Sequence, residues 1–76
     1  MSNDPVNKPA HYQFSFDLMT VQAEIAETYP PRAAFMIWNS LKYIARAMRK
    51  GKAVEDLRKA EHYLKRAIEL MGAKND

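Results

Sequence analysis

The chain has no cysteine among its 76 residues, which excludes both a disulfide framework and a thiolate metal site as sources of stability. Glycine occurs twice and no G-x-x-x-x-G-K-[ST] loop is present, so phosphate binding of the P-loop kind is excluded as well. Histidine also occurs twice, at His11 and His62, too few for a metal site without further ligands. No metal ligand set is expected, and no Ser/His/Asp order suggests a nucleophilic triad. No run approaches the roughly 20 apolar residues of a membrane span, and the first residues lack the basic-then-apolar layout of a signal peptide. The expectation is a cytoplasmic protein without a membrane partner.

A domain of this length buries only about 60% of the surface its unfolded chain exposes, so its core is small. Packing must supply what cross-links do not, and self-association into a homo-oligomer is expected. The net charge of +3 hides a segregation. Residues 1–31 carry Lys8 against Asp4, Asp17, Glu24 and Glu27, whereas residues 32–66 carry ten Lys or Arg against Glu55, Asp56 and Glu61. A segment so basic attracts an anionic partner, or else is a solvated cationic face.

Pro5 and Pro9 have fixed φ and push their predecessors toward extended conformations, so residues 1–13 are read as an arm preceding a single helical domain, 14–76. Ser15 or Asp17 can cap a first helix to about Glu27, with Phe14, Leu18, Val21 and Ile25 spaced three or four apart. Pro30 and Pro31 end it. Pro31 also suits the opening of a second helix, Arg32 to Lys50, and Gly51 a turn into a third, Val54 to Met71, stopped by Gly72. Core stripes are expected at Ala34, Ile37, Leu41, Ile44 and Met48, and at Leu57, Ala60, Leu64, Ala67, Ile68 and Met71. The fold class is therefore all-α, an arm and short helix on an antiparallel helical hairpin. Phe35, Met36, Trp38 and Ala47 spread apolar surface beyond the second helix's stripe.

Asn39, Lys42, Tyr43, Arg46 and Lys50 follow one another at steps of three or four and so share one line of the second helix. Amide, ammonium, phenol and guanidinium in a row suit a nucleotide: Arg forks onto phosphate, Lys adds charge, Asn reads a base or ribose edge and Tyr stacks. The same residues also suit a plain solvent face. Asp56, Lys59 and Tyr63 make a matching line on the third helix, which an antiparallel hairpin can set opposite the first. Asp56 can orient Arg46 or Lys42, or carry a magnesium ion bridging phosphates, and it is the one catalytic candidate. Acids also favour a helix first turn with no further role. The pairs Glu55/Lys59 and Glu61/Lys65 read as structural, and His62 as solvated. Glu24 and Glu27 form a lone E-x-x-E of the sort used by helical magnesium-dependent nucleotide pyrophosphohydrolases, but the carboxylates needed to complete that set are missing.

Three strings in order, "PVNKPAHY", "NSLKYIARAMRKG" and "EDLRKAEHYLKR", resemble the SaV-like family of small phage proteins, over residues 5–66. The family pattern is a K-P-x-H-Y arm, then N-x-x-K-Y-x-x-R with a following K-G, then E-D-L-x-K-A-x-x-Y-L. The family includes a podophage nucleoside monophosphate kinase without a P-loop, and its founding member is a target of a host abortive-infection system. The resemblance implies an all-α phage protein acting in the host cytoplasm. It would bind a nucleotide or related phosphorylated small molecule, with magnesium if any cofactor, between the arm (Lys8, His11, Tyr12) and the hairpin (Asn39, Lys42, Tyr43, Arg46, Lys50, Lys59, Tyr63). Such a protein either sequesters its ligand or acts as a nucleotide kinase. The alternative is a host-takeover or anti-defence protein that grips a host protein through Phe35, Met36 and Trp38. Sequence-independent nucleic-acid binding ranks behind both.

Overall fold

The computed structural model describes residues 14–72. The arm, with Lys8, Pro9, His11 and Tyr12, lies outside them. The described residues form three helices and no strand: α1 (Leu18–Ala26), α2 (Pro31–Lys50) and α3 (Ala53–Leu70). The all-α expectation holds; α2 starts one residue earlier than the spacing suggests and ends where expected, and α3 starts and ends one residue earlier.

Each boundary has a local cause. Asp17 precedes α1 in an extended conformation, but its carboxylate accepts the Thr20 hydroxyl at 2.6 Å instead of capping a backbone amide. After Ala26 the chain tightens: Thr28 and Tyr29 donate backbone bonds to the carbonyls of Ile25 and Ala26, three residues back, and Pro30 cannot continue the ladder. Pro31 opens α2 at a position whose amide would have no helical partner. Gly51 closes α2 at φ 94°, and a Cβ built there would meet nothing within 4 Å, so glycine is required by backbone conformation alone.

The α2–α3 hairpin is the main packing unit, with α1 laid against α2. Its seam is made of small residues. Ala33, Ser40 and Ala47 recur every seven positions on α2, as do Ala53, Ala60 and Ala67 on α3, and all but Ala53 are fully buried. Heptad spacing of this kind keeps one narrow stripe facing a partner helix. Small side chains let the axes close in, and the Ser40 hydroxyl reaches both the Met36 carbonyl on its own helix (3.0 Å) and the Ala60 carbonyl across the seam (3.3 Å). Gln22, also buried, ties α1 to α2 by donating to the Trp38 carbonyl at 2.9 Å.

This seam corrects the expected core. Ile37, Ala60 and Ala67 are buried as anticipated, and Leu41 packs beside them, but Ile44, Met48, Leu57, Leu64, Ile68 and Met71 stand exposed. The physical reason is that two stripes compete on each helix, and closest approach selects the smaller side chains. The larger ones, rotated by about 40–80° at 100° per residue, are left beside the seam. On α1 the buried line is Leu18, Gln22 and Ala26, while Ile25 points outward.

Candidate ligand-binding face

Because α2 and α3 run antiparallel, residues displaced in the same rotational sense from the seam emerge on the same side of the hairpin. Tyr43 on α2 and Tyr63 on α3 are such a pair. Their rings stack with centroids 5.9 Å apart and planes 11° from parallel. Phe35 and His62 meet Tyr63 edge-on at 6.4 and 5.5 Å.

Three cations surround the same Tyr43 ring: Lys42 Nζ at 4.9 Å from the centroid, Arg46 Cζ at 5.0 Å and Lys59 Nζ at 5.5 Å. A ring quadrupole attracts each of them modestly, while the cations repel one another. Two have carboxylate partners. Lys59 Nζ lies 3.8 Å from Glu55 one turn earlier on α3, an exposed pair of small worth. Arg46 Nε faces Asp56 Oδ2 at 3.6 Å, an ion pair slightly long for a hydrogen bond. Lys42 has no carboxylate partner among the described residues.

Asp56 is therefore placed differently from an open catalytic carboxylate. It sits at 2% exposure in the first turn of α3, one turn before Ala60 on the seam side, where it orients Arg46 from within the hairpin. Of the two partners open to it in the sequence, Lys42 and Arg46, the structure gives it Arg46. Asn39 is also buried and its amide donates to the Phe35 carbonyl at 2.9 Å, so it is engaged within α2. Lys50 is exposed in the last turn of α2, where a cation complements the helix C-terminus, and it forms no ion pair among the described residues.

An open hollow of about 480 Å³ lies beside the stacked tyrosines, lined by Tyr43, Glu55, Arg58, Lys59, His62 and Tyr63. Arg58 and His62 were not expected to contribute. The signal that points to them is the run 55, 58, 59, 62 on α3, which continues the face of Lys59 by helical steps. No group of three or more His, Cys, Asp or Glu among the described residues can hold a metal ion. Glu24 and Glu27 are exposed on α1, Glu61 and Lys65 do not pair, and no helix is long and apolar enough to cross a membrane.

Fold and face together define a small helical-hairpin protein with a cationic, aromatic surface. The chain belongs to the DUF3310 family, described as proteins of unknown function, whose model matches residues 6–65. That span includes every residue of the cluster around Tyr43. Neither the curated proteins nor the solved structures contain a match.

Proposed function

We propose that this protein binds a nucleotide or a related phosphorylated small molecule on the Tyr43/Tyr63 face. The observation that carries the reading is the set of three cations around one tyrosine ring. A phosphate seated there relieves their mutual repulsion and gives Lys42 an anionic partner, while Arg46 and Lys59 supply further donors. The hollow alongside offers the tyrosine faces to a base, a contact that tolerates any base because every base has a π-face. Magnesium, if it takes part, arrives on the ligand's phosphates, since the described residues offer no clustered ligands for it.

Capture without turnover is the form of this function that the face favours. Asp56, the catalytic candidate, is enclosed and committed to Arg46, a placement that suits holding the guanidinium better than meeting a phosphoryl group. The resemblance to SaV-like phage proteins supports a phage setting, in which withdrawing a signal nucleotide from the host needs only a binding site.

The test is equilibrium dialysis of the purified chain against mononucleotides and cyclic dinucleotides with ATP and magnesium, followed by chromatography of bound and free fractions. One ligand retained unchanged is expected. New di- or triphosphate peaks would replace capture with kinase activity, and an empty bound fraction would overturn the proposal. Lys42→Ala is the informative variant, because Arg46→Ala and Asp56→Ala each strand a buried charge and disturb the fold itself.

A second reading rests on Phe35, which is 61% exposed beside Tyr63. An exposed aromatic next to half-buried Met36 and Trp38 suits a host protein as partner. Phe35→Ser abolishes a complex of that kind while Lys42→Ala spares it, and nucleotide capture shows the opposite pattern.

A further inference from the structure

The opposite face of the hairpin poses a separate question. Ile37, Leu41, Ile44 and Met48 follow one another at steps of four, three and four along α2. Leu57, Leu64, Ile68 and Met71 continue the same heptad spacing on α3. Both series are displaced from the alanine seam in the same rotational sense, away from Tyr43 and Tyr63, so they share one side of the hairpin. Each helix thus carries two coiled-coil-like seams, one used within the chain and one of larger side chains, of which Ile37 and Leu41 join the core while the others are left open among the described residues. Met48 is 83% exposed, and Ile44, Leu57, Leu64 and Ile68 are exposed with it.

We infer that this face packs against the same face of a second copy of the chain, forming a four-helix assembly. Three observations select that occupant. Among the described residues the core is deficient: five of the seven buried apolar residues are alanine, and the largest fully buried side chains are Gln22, Asp56 and Ser40. Such a fold needs a permanent apolar cover, and a second copy is the one partner always present at equal concentration. The size also fits. Helices of 20 and 18 residues make a face about 27 Å long and about 18 Å wide, or about 500 Å² in flat projection and more with side-chain relief, near the roughly 800 Å² a standard interface takes from each partner. A single helical peptide would cover only about half of that width. Finally, Glu61 lies beside this face with Lys65 farther around the same edge of α3. An antiparallel copy can set the acid of one chain against the base of the other, whereas a uniformly charged partner meets both signs.

The inference is independent of nucleotide binding, which uses the other side of the hairpin. It is tested by sedimentation velocity on the full chain from low to high micromolar concentration. Wild type is expected to sediment as a dimer or an even multiple. Met48→Lys and Leu64→Lys should each weaken assembly at least tenfold, and the apolar control Phe35→Ser, on the other face, should leave it intact. A wild-type monomer at high micromolar concentration would overturn the inference. So would assembly insensitive to Met48→Lys, or lost in Phe35→Ser alone. A monomeric wild type that loses helicity in Met48→Lys would assign the face to a segment of the same chain instead. Because Met48 touches little within its own chain, monomeric Met48→Lys that keeps its helicity on dilution is read as lost assembly, not failed folding. The cysteine-free background supplies a second readout: Leu64→Cys should be shielded from a maleimide in the assembly and labelled on dilution.

Discussion

The two faces of the α2–α3 hairpin are cut from the same helical repeat yet end in opposite conditions. On the Tyr43 face, long polar and aromatic side chains satisfy one another: tyrosine stacks on tyrosine, Arg46 leans on Asp56 and Lys59 on Glu55. On the Met48 face, Ile44, Met48, Leu57, Leu64 and Ile68 stand exposed with nothing among the described residues to cover them. The difference follows from the seam between them. Alanine and serine bring the helix axes close, but a buried methyl stabilises by only about 0.8 kcal/mol where a buried leucine or isoleucine gives about 1.5–3. Close packing was obtained at the expense of buried apolar area, and the face outside the seam carries that deficit.

The comparison breaks most visibly at Asp56. Asp56→Ala removes the buried carboxylate that faces the largely enclosed Arg46 guanidinium, and a loss of about 3 kcal/mol in stability is expected, measured by urea denaturation. Adding Arg46→Ala to it should recover part of the loss, because the stranded charge is then gone. If Asp56→Ala instead unfolds at the wild-type midpoint, the polar face is not held together from within. Tyr43→Ala comes next: removing one stacking ring should weaken nucleotide binding by about 1–3 kcal/mol, about fivefold to a hundredfold, as read by titration calorimetry. Its effect on the unfolding midpoint should be smaller than that of Asp56→Ala.

Much of this arrangement was legible in the sequence, for identifiable reasons. Pro30, Pro31, Gly51 and Gly72 punctuate the chain strongly enough to fix α2 and α3 within a residue of their ends. The Asn39 and Asp56 lines could be drawn from spacing, and the antiparallel turn at Gly51 brings Tyr43 to Tyr63 and Arg46 to Asp56. What spacing could not decide was which of two adjacent stripes forms the seam, since both are apolar and both have helical period. The sevenfold recurrence of Ala33, Ser40 and Ala47 against Ala53, Ala60 and Ala67 was the available clue. Gln22 left no clue, because a polar residue in a helix looks the same in sequence whether it bridges two helices or faces water. Asp56 could be read from spacing as a catalytic candidate, as a partner of Arg46 or Lys42, or as a plain first-turn acid, but nothing in the spacing signalled its burial.

Two smaller effects sharpen the contrast further. Ser40→Ala removes the hydroxyl that joins α2 to the Ala60 carbonyl, while the methyl still fits the seam, so a loss of about 1 kcal/mol is expected in the same denaturation experiment. A loss several times larger would mean that the helices are held by that bond and not by their close contact. Glu55→Gln removes the exposed partner of Lys59 and should change stability by about 0.3–0.5 kcal/mol. The same substitution should tighten phosphate binding, since the hollow loses its one exposed carboxylate, and competition dialysis with inorganic phosphate would show the direction.

The most direct test of a division of labour between the faces is amide and side-chain chemical-shift mapping while a retained nucleotide is titrated into the labelled chain. Shifts concentrated at Lys42, Tyr43, Lys59 and Tyr63, with Ile44, Met48, Leu64 and Ile68 unmoved, are the predicted result. Shifts centred on Met48 and Ile68, or none on either face at saturating ligand, would contradict it.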